Sequence, residues 1–190
     1  MADFNKVLEP GDVDAGLVNT VVEIPEGSRL KVEWDRQRAA FMLDRVEPKI
    51  FAKPCNYGFI PQTLDEDGDE LDTLIICPEP LTTGVWLEAR IIGVLRFEDD
   101  GEVDDKVVVV PADNRDDDRI NSLDDIPQLV KQLEHLLRHG PGARLHLRQA
   151  WLEQARAPGE FNLRETRVRA CGANERGSVV RAETTHGASI

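Results

Sequence analysis

Residues 64–73 read L-D-E-D-G-D-E-L-D-T, with six acidic side chains in ten residues: Asp65, Glu66, Asp67, Asp69, Glu70 and Asp72. The flanks are apolar, Y-G-F-I at 57–60 before the stretch and L-I-I-C at 74–77 after it. A polar, glycine-containing turn between two such runs reads as the connection between two core strands. Gly68 permits a tight turn that aims the carboxylates on either side of it the same way. Leu71 is expected to anchor the far side in the core, which leaves Asp72 at the mouth of the next strand. Carboxylates gathered in a turn repel one another unless a cation compensates them. A hard, oxygen-seeking ion such as Mg²⁺ is the natural partner. An EF-hand loop is excluded: it needs glycine at its sixth position and glutamate at its twelfth, and Gly68 is fourth counted from Asp65.

Working outward, the chain is a series of short strands followed by one good helix. Residues 19–25, N-T-V-V-E-I-P, form a strand stopped by Pro25. In residues 29–35, R-L-K-V-E-W-D, Leu30, Val32 and Trp34 share one face while Lys31, Glu33 and Asp35 share the other. Residues 41–46 return as its hairpin partner. Taken alone, Lys31 and Glu33 are the wet face of that hairpin. Residues 54–58, P-C-N-Y-G, lead tightly into the strand before the acidic turn, and Leu74 to Cys77 form the strand after it. Residues 85–97 make a longer strand, with Gly93 as a bend or bulge. A second acidic run, E-D-D-G-E-V-D-D-K at 98–106, leads into a buried strand at 107–110. Alone, it is a polar hairpin tip.

Asp125 reads as an N-cap and Pro127 as a first-turn residue. Ile126, Leu129, Val130, Leu133, Leu136 and Leu137 then keep helical spacing to His139, and Gly140-Pro141 stops the helix. His135 and His139 share a face but lack the glutamate of a zinc-protease helix, so they read as an exposed or interface pair. Residues 145–147 suggest a last core strand, and Trp151 a short helix broken at Pro158-Gly159. The order predicts a mainly β fold with flanking helices (α+β): a small barrel with one long and one short C-terminal helix. Residues 1–157 form the barrel domain, with residues 1–18 as a surface arm, and 158–190 are a divergent tail.

Composition narrows the function. A chain of 190 residues with 41% apolar content has a real core. A net charge of −13 argues against nucleic acid or an anionic membrane as partner. An anionic substrate remains open, because bound cations invert the local field. Three cysteines, Cys55, Cys77 and Cys171, show no paired spacing, which suits a reducing compartment. The first residues lack the pattern of a signal peptide, and no apolar run has the length of a membrane span. The expected location is cytoplasmic. There is no Walker A loop, dinucleotide-binding turn or nucleophile elbow.

From about Val22 to Trp151 these pieces resemble the family I soluble inorganic pyrophosphatases. The motifs, in order, are Glu23-Ile24-Pro25, Lys31-Val32-Glu33, Asp44-Arg45, Pro54-Cys55-Asn56-Tyr57-Gly58, Asp67 to Asp72, and the acidic run ending at Lys106. The resemblance implies a five-stranded OB-like barrel and Mg²⁺-dependent hydrolysis of pyrophosphate, with several ions per site and Mn²⁺ as an alternative. It implies that Asp67, Asp72 and Asp104 hold the ions that activate water, and that Glu23, Glu33 and Asp99 support further ions. Asp69 would be the general base and Tyr57 part of the nucleophile's network. Lys31, Arg45 and Lys106 would grip phosphate oxygens. It also implies a homo-oligomer, a hexamer in bacterial members, with the helix carrying His135 and His139 between trimers.

The chain departs from the family pattern in places. Lys53 stands where the family has a tyrosine, and Asp100 where a glutamate is usual. Gly140 and Pro141 occupy the positions of a Tyr-Lys pair that binds the leaving phosphate. The sequence beyond Trp151 does not follow the family. Lys53, Arg138 or Arg144 could supply replacement cations. Two alternatives therefore stay open at the level of sequence: hydrolysis of another phosphoanhydride or a phosphonate-like analogue, and a non-catalytic, metal-loaded oligomeric module.

Overall fold

Strand-forming alternation governs the first two thirds of the chain, and the computed structural model shows where it leads. It describes residues 2–65, 68–95, 98–99, 102–115, 119–139 and 153–154, with the backbone alone for 98–99, 102–103, 137–139 and 153–154. A short helix α1 (Phe4–Val7) is followed by strands β1 (Leu17–Ile24), β2 (Leu30–Asp35), β3 (Ala40–Val46), β4 (Asn56–Phe59) and β5 (Asp72–Ile75). Then come β6 (Trp86–Leu95), the two-residue strands β7 (Glu98–Asp99) and β8 (Glu102–Val103), β9 (Lys106–Pro111), helix α2 (Pro127–His139) and β10 (Glu153–Gln154).

Five of these strands close on themselves in the order β1-β4-β5-β9-β6, and β1 pairs with β6 to complete the ring. Every contact in the ring is antiparallel except β5 against β9, which is parallel. This is the expected OB-like barrel. Closure removes the open edges that a flat sheet of these apolar strands would expose. Hairpin β2-β3 stands outside the ring as a sheet of its own, and β7-β8 forms another.

The alternation of side chains sorts the core into layers. Ile75, Val107 and Val109 face a cluster with Val18, Val22, Ile60, Leu71, Ala89 and Ile91. Their neighbours Leu74, Val108 and Val110 join Ile92, Leu95, Leu123, Val130 and Leu133 beneath α2. Val107 to Val110 are therefore buried on both faces, which explains an uninterrupted valine run where a half-exposed strand would alternate. Leu71 is buried as expected. Gly58 is required by close approach: a Cβ there would lie 2.1 Å from the Val21 carbonyl oxygen across the β1-β4 pair.

Several expectations are corrected. The N-terminal arm is docked: Phe4 is buried and packs its ring on Trp34, Phe41 and Phe59, with centroids 5.1–6.5 Å away. Asp125 does not cap α2. Its carboxylate accepts from the backbone N–H groups of Asn121 and Ser122, both at 2.9 Å, and closes a 3-10 turn at Leu123–Asp125. Strand β5 begins at Asp72, two residues before the apolar run, because Asp72 pairs with Phe59 on one side and Lys106 on the other. Of the short helix expected from Trp151, only Glu153 and Gln154 are described. They are extended and pair with Val94 and Gly93 of β6, next to the register shift at residues 91–93. Residues 145–147 and 158–190 lie outside the described residues. Among the described residues no helix is long and apolar enough to cross a membrane.

Candidate active site

The parallel pairing of β5 with β9 sets the centre of the site. It places Asp72 and Lys106, each the first residue of its strand, directly across from one another. Lys106 Nζ donates to the carboxylates of both Asp72 and Asp104. Tyr57, from β4 on the other side of β5, donates its hydroxyl to Asp72 Oδ2 at 3.0 Å. The same ring carries two ammonium groups near its faces or edge, Lys53 Nζ at 5.0 Å from the centroid and Lys106 Nζ at 5.9 Å. Such contacts favour cations electrostatically.

These groups tune one another. Burial works against the charge of Lys106, but Asp72, Tyr57 and Asp104 outweigh it and hold the ammonium well above the usual lysine range. Burial, with the Asp72 charge added, pushes the Tyr57 phenol well above its ordinary value, so it stays a donor. Burial lowers Lys53; Asp72 opposes that, and Lys31 and Lys106 reinforce it. Cys55 is pushed up to about 12 by burial, which leaves its thiol inert.

Glu23, near the end of β1, is the most perturbed carboxyl in this region. It is 8% exposed and accepts the Trp34 backbone N–H at 2.7 Å. Burial and the charge of Asp72 raise it from 4.5 to about 8, with smaller contributions from Glu33 and Glu70, against the lowering effect of the Trp34 hydrogen bond. Burial is the larger cause and the like charge of Asp72 the next, both of which disfavour the ionised form.

Hairpin β2-β3 brings a second set. Lys31 Nζ lies 2.5 Å from Glu33 and 3.7 Å from Asp44. Arg45 contacts Asp44 at 2.5 Å and Glu47 at 2.6 Å. Lys31 and Arg45 are register partners across the hairpin, so the K-V-E and D-R stretches lie side by side. Asp44 and Glu47 were assigned no role from sequence. Glu47 is 6% exposed, but its position just before Pro48 reads as a turn. Asn56 proves architectural: its Oδ1 accepts from Glu26 and Leu81 N–H groups at 3.0 and 2.7 Å, and its Nδ2 donates to Glu79 O at 3.1 Å.

Asp69 lies on the acidic turn, exposed, with its carbonyl accepting the Asp65 N–H at 2.7 Å. Gly68 takes the left-handed conformation, φ +93°, that the tight turn requires. Asp67, Asp100, Gly140, Pro141 and Arg144 lie outside the described residues. For Asp99 the backbone is described, paired with Glu102, and for Arg138 the backbone within α2. Among the described residues no three carboxylate, imidazole or thiolate side chains converge at metal-holding distance. The donor chemistry nevertheless fits a hard divalent cation: Asp72 and Asp104 present carboxylate oxygens to Lys106 Nζ, and Glu23 is a further oxygen donor coupled to Asp72.

A family model described as inorganic pyrophosphatase matches residues 20–152. An inorganic pyrophosphatase of Haemophilus influenzae is 69% identical over 136 residues, which is 70% of this chain and 77% of the relative. One from Neisseria meningitidis serogroup B is 64% identical over 141 residues, 73% of this chain and 80% of the relative. The crystal structure of an inorganic pyrophosphatase from Neisseria gonorrhoeae superposes with a TM-score of 0.70 at 62% identity, covering 72% of this chain and 80% of that one. That of Thermus thermophilus superposes with a TM-score of 0.66 at 40% identity, covering 72% of this chain and 79% of that one.

Proposed function

This chain belongs to the inorganic pyrophosphatase family, and on that premise we propose how its residues divide the work of hydrolysing inorganic pyrophosphate. The chain is an inorganic diphosphatase; water attacks one phosphorus, the bridging P–O bond breaks, and two phosphates leave. The observation that carries the residue assignment is the convergence of Tyr57, Asp72, Asp104 and Lys106 where β5 and β9 begin.

The family is metal-dependent, and Mg²⁺ is the ion we assign, with Mn²⁺ as substitute. Bound divalent cations neutralise pyrophosphate and acidify the attacking water. Asp67, Asp72 and Asp104 are the residues to hold the activating ions, and Glu23, Glu33 and Asp99 the further ones. Asp69 takes the proton from water as general base. Tyr57 fixes the Asp72 carboxylate through its hydrogen bond. Lys31, Arg45, Lys106 and Lys53 bind phosphate oxygens; Arg45 presents a planar fork suited to two-point contact. Lys53 replaces a family tyrosine with a cation 5.0 Å from the Tyr57 ring centroid, and so adds positive charge on the substrate side. That charge offsets the missing Tyr-Lys pair at Gly140-Pro141.

The same reading makes the chain a cytoplasmic homo-oligomer, a hexamer. Free Cys55 and Cys77 support the reducing location, and exposed Leu30, Leu43 and Val46 on the hairpin support self-association. The domain limits 1–157 and 158–190 belong to this proposal too.

The test is phosphate release from pyrophosphate with Mg²⁺, beside Asp69→Asn and a Gly140→Tyr, Pro141→Lys double variant. Release by the wild type well above Asp69→Asn is expected. Release equal to that variant removes the general-base assignment. A large gain in the double variant shows that Lys53 does not make up for the lost pair.

A further inference from the structure

Glu70 lies between Asp69 and Asp72 in sequence, yet its carboxylate is taken up elsewhere. Its side chain is 4% exposed and accepts from Arg36 Nε at 2.9 Å and from Asn5 Nδ2. Asn5 uses its other atom on the opposite limb of the same loop: Oδ1 accepts the Gln62 N–H at 2.7 Å. Gln62 has φ +59°, a conformation that an unbranched L residue rarely holds without support. Arg36 likewise reaches both limbs, with Nη2 donating to Thr63 O at 3.0 Å. The limbs are tied to each other by Leu71 N–H to Thr63 Oγ1 at 2.9 Å and Ile60 N–H to Leu71 O at 2.9 Å. Helix α1, which carries Asn5, is itself fixed by Phe4 in the aromatic cluster.

We propose that Asn5, Glu70 and Arg36 are positioning residues that hold the acidic loop ready for divalent cations, so that the N-terminal helix governs metal affinity. The inference rests on the reading of Asp67, Asp69 and Asp72 as the metal and water-activating loop. A turn crowded with like charges opens by repulsion when empty. A brace on both limbs removes that reorganisation before the ion arrives. Partners that orient ligands indirectly change metal affinity by about 10–100-fold, and the lower end is expected here because the brace acts through the loop backbone.

The test is calorimetric titration of the EDTA-stripped full chain with Mg²⁺ in the absence of substrate. Asn5→Ala is expected to weaken binding about tenfold, and to raise by the same factor the Mg²⁺ concentration that gives half-maximal turnover. Asn5→Asp, which sets two carboxylates against each other, weakens it further. Asn5→Asp with Glu70→Gln restores a donor and acceptor pair and recovers most of the affinity. Leu133→Ala, a core truncation beneath α2, lowers the melting temperature without moving Mg²⁺ affinity. If the Asn5 variants melt earlier but bind Mg²⁺ like the wild type, the brace is only structural and the inference fails. If the wild type takes up no Mg²⁺, the metal reading of the loop fails first and takes the inference with it.

Discussion

Replacing Glu23 by glutamine isolates one buried charge. In the metal-free protein, burial and Asp72 raise the Glu23 carboxyl from 4.5 to about 8. The unfolded chain ionises it near 4.5, so between those values the unfolded state releases a proton that the folded state keeps. Stability from this group is therefore complete below about pH 4.5 and is lost as pH rises towards 8. At about 1.4 kcal/mol per pH unit the whole rise corresponds to about 5 kcal/mol, and relaxation of the site brings a realistic value to about 2–4 kcal/mol. Glutamine has the same shape, keeps an oxygen for the Trp34 N–H, and does not titrate. The assay is thermal melting of wild type and Glu23→Gln in EDTA at fixed protein concentration, at pH 5 and pH 8. The variant is expected to gain on the wild type by about 6–12 °C between the two pH values. With saturating Mg²⁺ at pH 8 the order reverses, because only the carboxylate interacts with the cation as a full charge. An equal gap between the two proteins at both pH values in EDTA would refute the reasoning, since Glu23 would then not be held neutral by its surroundings.

Other expectations follow from particular contacts. Asp69→Asn lowers turnover by about 10²–10⁴ while calorimetry still detects Mg²⁺ uptake. Lys53→Met raises the KM for pyrophosphate by about tenfold, as removal of one charge-assisted contact implies, and the effect shrinks in high salt; an unchanged KM places Lys53 off the substrate. Gly58→Ala forces β1 and β4 apart, because the new Cβ meets the Val21 carbonyl oxygen at 2.1 Å; denaturant titration is expected to show a loss of about 3 kcal/mol or more.

The parts of this architecture legible in the sequence were those set by local pattern. Alternation in residues 29–35 gave a hairpin with Trp34 inward, and the acidic turn between apolar runs gave a strand pair with Leu71 buried. Lys31 and Arg45, on two separate motifs of the sequence, are register partners across that hairpin. What could not be read locally depends on distant partners. Glu70 looks like any of the six acids in its turn, and its burial is decided by Asn5 and Arg36, which lie 65 and 34 residues away. Phe4 sits in a segment with no periodicity, so only the pocket made by Trp34, Phe41 and Phe59 shows its role. Asp125 carries the signature of a helix cap, but a competing 3-10 turn at 123–125 captured it. The extended pair Glu153–Gln154 follows from backbone offered by β6, which no pattern within those residues announces.

Because hairpin β2-β3 lies outside the closed ring, the proposed site straddles two sheets of unequal support. Tyr57, Asp72 and Lys106 ride on strands whose edges are all paired around the barrel, whereas Lys31, Glu33 and Arg45 ride on two strands that pair only with each other. Two-stranded ribbons are marginal without packing support, and this one is moored by Trp34, through its rings' contacts and its backbone bond to Glu23. Opening of the hairpin alone, as a local unit below the free energy of global unfolding, would release Lys31 and Arg45, the cations proposed to grip phosphate, and with them Glu33 and the Arg36 contacts to Glu70 and Thr63 on the acidic loop. Warming should then weaken substrate and Mg²⁺ binding together before the barrel unfolds, a step that hydrogen exchange at residues 30–46 would date.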